Sequence, residues 1–292
     1  ESHEKGIYET TDYDGNPTYY YRGSVENNYV KFAGYYWRII RINSNGSVRM
    51  IYDGTSAHAN GEVSEDRQYG TSRFNNANND NMYGGYMYTK GAVHGTNTSS
   101  TIKENVDKFY VDKITNYASK LDNTIGYCGD RSTLNLISNV GTSNVTTYNK
   151  GYLRVEESVP ILTCENENDY YTVNNTLNGN KKLSYPIGLI SVDEMMLAGH
   201  SGGVFDGNYN YSKINKNNYL RTGYNFWIIT SAGGYYPYGI ATWFSLVFFA
   251  NLNGKIDDDA VTNFNGVRPV INIRSDVTIT GSGTMTDPYV IN

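Results

Sequence analysis

The sequence is poor in charge for its length. Only 18% of its 292 residues are Asp, Glu, Lys or Arg, and the formal net charge is −5. This balance offers nothing that would attract nucleic acid or an anionic membrane surface. No apolar run is long enough to cross a bilayer. We therefore expect partners other than nucleic acid, and no membrane-spanning segment within this sequence.

Cysteine is also scarce, with Cys128 and Cys164 as the two examples. They do not fit the C-x-x-C spacing of a metal site. In an exported chain we expect a disulfide that closes a loop of about 36 residues; two buried thiols are the alternative. The run Asp257-Asp258-Asp259 lacks the spacing of a calcium loop and predicts a solvated turn. We expect neither a metal nor a cofactor.

Tyrosine is abundant, with 29 residues, and is accompanied by 30 glycines. Tyrosine offers rigid contact area with a polar tip, and it also favours β-strands. The composition is therefore typical of an exported, loop-rich binding protein or, alternatively, of a β-rich surface protein. The chain begins at Glu1 without a signal peptide. We expect a trimmed ectodomain that is attached to a membrane only through an N-terminal anchor outside this sequence.

Two regions have the pattern of β-strands, residues 17–52 and 224–292. Asn45-Gly46 separates two alternating runs and predicts a hairpin. Residues 53–98 predict long loops with isolated strands or turns, and residues 122–185 predict irregular structure. The strand residues expected in the core are Trp37, Ile39 or Ile40, Ile42, Val48 and Met50, together with Ile271 in a strand over 267–273.

Two helices are predicted. Residues 101–121 carry apolar side chains at helical spacing, with a capping box from Thr101 to Glu104 and a break near Val111. A second, short helix begins with a capping box from Ser191 to Glu194 and ends at Gly199.

The stretch Gly199-His200-Ser201-Gly202-Gly203 fits the G-x-S-x-G pattern of a serine hydrolase. A nucleophile elbow needs a strand before the serine and a helix after it, and here a predicted helix comes first. His200 is adjacent to Ser201 in sequence, which is a poor arrangement for a general base. We expect no catalytic residue and no enzymatic activity, and we keep a serine hydrolase using Ser201 as an alternative.

Several stretches resemble a family of surface proteins from Gram-positive and gut bacteria whose function is unknown. The stretches are WRIIRINSNGSVRMIYDG, YCGDRS, YPIGLISVDE, FWIITSA, GVRPVINI and GTMTDPYVI. The C-terminal ones are also similar to the C-type-lectin-like fold of the formylglycine-generating-enzyme type. The resemblance implies an α+β protein with twisted antiparallel sheets, two or more helices and long loops. It implies a single domain over residues 1–292 with an N-terminal β-hairpin region, displayed extracellularly on a bacterial surface.

That fold is used by the variable proteins of diversity-generating retroelements, in which a C-terminal segment is randomised to form a ligand-binding face. The corresponding interval here is 231–266. The resemblance implies an adhesin-like module for a protein, peptide or glycan on another cell or phage; a pilus or surface-layer subunit is the alternative. The candidate ligand-binding residues are Tyr235, Tyr236, Tyr238, Thr242, Trp243, Phe244, Phe248, Asn251, Lys255, Asp257, Asp259 and Asn263.

Residues 240–251, IATWFSLVFFAN, are apolar almost throughout. A half-buried strand would alternate polar and apolar side chains. Either both faces of this strand are buried, or one face presents Trp243, Phe244 and Phe248 to solvent or to a partner. An exposed apolar patch of that size would indicate a binding site.

Overall fold

The computed structural model describes residues 5–12, 14–134, 147–174, 179–202, 216–235 and 244–292. Within them the chain is mixed α+β and consists mostly of sheet. The strands are β1 (Gly6–Thr11), β2 (Pro17–Arg22), β3 (Tyr29–Phe32), β4 (Tyr35–Ile42), β5 (Val48–Gly54), β6 (Thr71–Arg73), β7 (Met87–Tyr88), β8 (Thr98–Ser99), β9 (Tyr127–Cys128), β10 (Thr147–Tyr148), β11 (Tyr170–Tyr171), β12 (Ile187–Gly188), β13 (Phe226–Tyr235), β14 (Phe244–Ala250), β15 (Ile256–Ala260), β16 (Phe264–Gly266), β17 (Val270–Ile273), β18 (Ile279–Thr280) and β19 (Tyr289–Ile291).

The helical segments are short. They are α1 (Thr101–Phe109), α2 (Lys150–Glu157) and α3 (Val192–Leu197), a π-helical turn (Tyr110–Ile114), and 3₁₀ segments at Glu65–Arg67, Asn81–Gly84, Thr115–Lys120 and Glu167–Asp169. Among the described residues, no helix has the length and apolar character that crossing a membrane would require.

The larger sheet joins both ends of the chain. Its strands follow the order β12-β17-β5-β4-β3-β19-β18, with β2 on the far half of β4 and β1 on β2. The smaller sheet has the order β15-β14-β13-β16-β6, and β10 pairs with β13. The interval 231–266 therefore supplies most of the smaller sheet.

The predicted hairpin at Asn45-Gly46 is confirmed. Asn43 donates its N–H to the carbonyl of Ser47 at 2.8 Å, and Gly46 adopts a φ of +80° that favours glycine. Side chains of β4 and β5 enter the core as expected, and Trp37 and Met50 are fully buried. Ile42 and Val48 lie at the strand ends next to the turn and are only half-buried.

The helix over 101–121 is interrupted where the break was predicted. Regular α-helix ends at Phe109, and the π-helical turn that follows contains Val111. The predicted capping box is wrong by one position: the N-cap is Ser100, whose hydroxyl accepts from the N–H of Lys103. Ser100 is also held by the carbonyl of Tyr86, which fixes the helix start there.

The second helix forms as predicted. Ser191 and Glu194 make a complete capping box at the start of α3, and Gly199 follows the helix with a φ of +99°. Two other predictions are wrong. Residues 122–185 contain helix α2, and Asp257 to Asp259 lie on strand β15 instead of a turn.

Candidate functional site

The candidate residues next to the ends of strand β14 lie at two opposite ends of the smaller sheet. Tyr235 ends β13 directly opposite Phe244, the first residue of β14. Asn251 and Lys255 lie at the other end of β14, about 20 Å away for a strand of this length. The candidate residues Tyr236, Tyr238, Thr242 and Trp243 lie outside the described residues.

Strand β14 is buried on both of its faces. Every residue from 245 to 250 is buried, which supports the first of the two alternatives for the apolar run. Phe248 is fully buried because the ring of Tyr152 on α2 covers it, with the ring centroids 5.0 Å apart. Phe248 therefore lies in the core and not on a ligand-binding surface, whereas Phe244 is half-buried.

The turn between β14 and β15 is held by hydrogen bonds among its own residues. The Oδ1 of Asn251 accepts from the N–H groups of Asn253 and Lys255, at 3.0 and 3.1 Å. Lys255 is mostly buried. These contacts give Asn251 a role in forming the turn, and the burial of Lys255 leaves little of this candidate residue on the surface for a ligand.

The three aspartates lie on β15, which is an edge strand of the smaller sheet. Charged side chains on an edge strand discourage pairing with other chains. Asp259 accepts from Ala260 N–H at 2.8 Å, and from the side-chain amides of Asn263 at 2.6 Å and Asn265 at 3.0 Å. Asp259 and Asn263 thus stabilise the connection from β15 to β16.

Asp258 differs from its two neighbours because it points towards α2. It lies opposite Phe248 in the ladder and is hydrogen-bonded to the phenol of Tyr152. Burial raises the pKa of Asp258 to about 6, the bond from Tyr152 opposes that rise, and the charges of Asp257 and Asp259 add to it. The sequence did not predict this role. Only the position of β15 in the sheet shows that the side chain of Asp258 points to the opposite face from those of Asp257 and Asp259.

Four residues form what we call the aromatic-carboxyl cluster: Tyr148, Tyr152, Phe248 and Asp258. The ring of Tyr148 packs edge-on against that of Tyr152, with centroids 4.9 Å apart. Burial and the nearby Asp258 raise the pKa of Tyr148. Tyr148 and Asp258 are half-buried, so the cluster reaches the surface beside the ends of β13 and β14.

Among the residues that the structure describes, Ser201 lacks the surroundings of an activated nucleophile. The Nδ1 of His200 is hydrogen-bonded to the carbonyl of Gly254, and burial lowers the pKa of this imidazole. The carbonyl of Ser201 accepts from the N–H of Ile256 at the start of β15. Helix α3 comes before this serine, as predicted, whereas an elbow requires a strand there.

Sequence reasoning missed a set of buried ion pairs, and several of their members lie within the stretches that carry the resemblance. Asp53 accepts from Arg67 and from Arg268, both at 2.8 Å. Glu194 accepts from Arg41 at 2.9 Å and lies 2.5 Å from the Nε of Arg49. These contacts join strands β4 and β5 to helix α3 and to the segment before β17.

Two further arginines, Arg154 and Arg131, form buried ion pairs in the same way. Arg154 on α2 binds Asp193 at 2.8 Å and Asp130 at 2.7 Å. Asp169 accepts from Arg131 and, at 2.8 Å, from His94. Although burial alone would raise it, the pKa of Asp169 is lowered overall by the charge of Arg131 and the bond from His94. The stretches that carry the resemblance therefore contribute residues to structural ion pairs, and these pairs give no evidence for a particular reaction.

Cys128 and Cys164 form the expected disulfide, with their Cα atoms 5.6 Å apart. In the part of the chain that the structure describes, no group of three or more His, Cys, Asp or Glu side chains is arranged to hold a metal ion.

Comparison with known proteins finds no match to this chain among protein-family models, curated proteins or solved structures. The resemblance drawn from the sequence stretches therefore remains a hypothesis.

Proposed function

We propose that the chain is a ligand-recognition module of a bacterial surface, and that it binds through the interval 231–266. The observation that carries the proposal is the pairing of Tyr235 with Phe244. It places the two residues that flank 236–243 side by side at the end of a packed sheet. Binding segments are commonly presented on a rigid scaffold in this way.

The aromatic-carboxyl cluster supports this proposal chemically. Tyr148 offers a half-buried ring beside the same end of the sheet, and Asp258 offers a half-buried carboxyl group. Aromatic rings with polar tips give contact area at low entropic cost and suit protein, peptide or glycan ligands. The ligand is displayed by another cell or by a phage.

We further propose that the fold is C-type-lectin-like within a single domain, and that retroelement mutagenesis diversifies the interval 231–266. The disulfide between Cys128 and Cys164 fits an extracellular setting. The DNA beside the gene tests the diversification: we expect a near-copy of codons 231–266 that differs mainly at adenines, with a reverse transcriptase nearby. Flanking DNA without either would contradict it.

The binding test is a screen on cells, glycan arrays and peptide arrays with the parent and a Tyr235→Ser/Tyr236→Ser/Tyr238→Ser variant. A matched control replaces Tyr117 and Tyr224, two partly exposed tyrosines outside the interval, by Ser. We expect the triple variant to lose a hit that the parent and the control retain, with unchanged melting. Binding that survives in the triple variant contradicts the proposed site.

Two alternatives have their own tests. A pilus or surface-layer subunit would assemble into filaments or arrays from purified protein. A serine hydrolase would be labelled by a fluorophosphonate, and the labelling would be lost in Ser201→Ala. The imidazole of His200 is hydrogen-bonded to the carbonyl of Gly254, an arrangement that does not favour labelling or turnover at Ser201.

A further inference from the structure

Strand β1 has less of the usual edge protection than the other strands that end a sheet in the described part of the chain. Among the described strands that end a sheet, β12, β18 and β6 have two or three residues, and the five-residue β15 carries three aspartates. β1 has six residues, pairs with β2 in an uninterrupted register, and contains neither Lys nor Pro. Long edges of this kind, without a bulge, pair readily with another strand.

One face of β1 has a symmetrical charge pattern. Side chains alternate along a strand, so Ile7 and Glu9 lie on the same side, and Lys5, the residue just before β1, continues this spacing. Ile7 is 50% exposed, the side chain of Lys5 is 62% exposed, and Glu9 is exposed. A positive and a negative side chain thus flank an exposed apolar residue at equal spacing.

The present contacts of these two charges are weak. Lys5 lies 3.5 Å from Glu26, and both side chains are largely exposed. Such surface pairs contribute little to stability. Glu9 is hydrogen-bonded to the exposed Tyr19 on β2. Both charges can therefore exchange partners at little cost.

We propose that a second copy of this chain pairs its β1 antiparallel with this one, about a two-fold axis at Ile7. Each Lys5 then lies opposite the Glu9 of the other copy, and the two Ile7 side chains meet at the centre. Cross-strand pairs of opposite charge and of apolar side chains stabilise such ladders. The larger sheet continues from one copy into the next.

The other symmetrical registers fit less well. In an antiparallel ladder, a residue whose backbone groups point outward must face another such residue. The two-fold axis therefore falls on a residue and not between two. An axis at Glu9 sets two carboxylates against each other, and an axis at Tyr8 sets Ile7 against Glu9 without a charge pair.

The interface is small, since about five residues of each copy take part. We expect weak, concentration-dependent dimerisation, because interfaces of this size lie below those of stable dimers. The dimer does not use the interval 231–266. A result that contradicts the dimer therefore leaves the proposed ligand site untouched, and the reverse also holds.

Sedimentation of the full chain tests the dimer, with Lys5→Glu and Glu9→Lys as charge-reversal variants. Each variant alone places like charges opposite each other, and we expect its dissociation constant to rise about tenfold. A mixture of the two restores opposite charges at both contacts and should associate as the parent does. Unchanged melting of each variant shows that the fold is intact.

A parent that stays monomeric up to about 1 mM overturns the proposal. So does a mixture that associates no better than its components. Cross-linking gives a second readout: Ile7→Cys should form a disulfide-linked dimer faster than Thr11→Cys, because only position 7 meets its own copy at the axis. Equal rates for these two exposed positions overturn the register.

Discussion

Arg268 and Asp53 are 215 residues apart in sequence, yet the Nη2 of Arg268 lies 2.8 Å from the Oδ1 of Asp53. Both side chains are buried, and Arg67 donates to the same oxygen at 2.8 Å. The remaining donors of Arg268 reach the carbonyls of Tyr52 and Leu220. Asp53 and the two guanidinium groups that it binds therefore tie the end of β5 to the approach to β17 and to the segment before β13.

Removing this carboxylate charge should destabilise the protein strongly. We expect Asp53→Asn to lower the free energy of unfolding by about 3–5 kcal/mol, because it leaves the buried guanidinium groups of Arg67 and Arg268 without their counter-charge. Chemical denaturation measures the change. The control is Asp276→Asn, whose partner Arg274 lies on the surface. A small effect at Asp53, similar to that at Asp276, would contradict the importance of this buried carboxylate.

The core assignment makes a second prediction. Trp37 and Ile271 are fully buried in β4 and β17 of the larger sheet. Trp37→Ala or Ile271→Ala should each cost about 2–5 kcal/mol, since each leaves a cavity among packed side chains. The matched control is Ile279→Ala in β18, where the side chain is 43% exposed. If all three variants melt alike, the core lies elsewhere.

Local patterns predicted local features of this fold. The Asn45-Gly46 hairpin, the cap from Ser191 to Glu194 and the break near Val111 each depend on a few neighbouring residues, and the structure contains all three. Helix α2 was not predicted. Its sequence has few apolar residues and includes a glycine and a tyrosine, so it shows no clear helical spacing.

The candidate site was harder to predict, because its members meet through tertiary contacts. Tyr152 and Asp258 are far apart in sequence, and neither carries a motif. The burial of Phe248 likewise depends on α2, whose existence was not foreseen. Charge spacing alone could not pair Asp53 with Arg268, since their meeting depends on the order of strands in the larger sheet.

The disulfide makes a third prediction. Intact mass measured without reductant should be lower than after reduction by the mass of two hydrogen atoms. Replacing both Cys128 and Cys164 by Ser should cost roughly 2–4 kcal/mol, because the unfolded chain regains the entropy of the open loop. Thiols that react with a maleimide in the native protein would contradict the bond.

The pKa of Asp258 makes the last prediction, on the pH dependence of stability. Burial raises this pKa from 3.8 to about 6, so the folded protein holds a proton that the unfolded chain has already released. The contribution of this group to stability should therefore fall as the pH rises from about 3.8 to about 6, and it stays constant above that range. The shift corresponds to at most about 3 kcal/mol.

Two variants isolate this carboxyl group. Asp258→Asn should flatten the stability profile between those pH values and be more stable than the parent at neutral pH, because no buried charge has to form. Tyr152→Phe should move the pKa of Asp258 further up, since the phenol stabilises the ionised form. The pKa can be followed through the carboxyl resonance by NMR. A parent and an Asp258→Asn variant with parallel pH profiles would place the titration on another group.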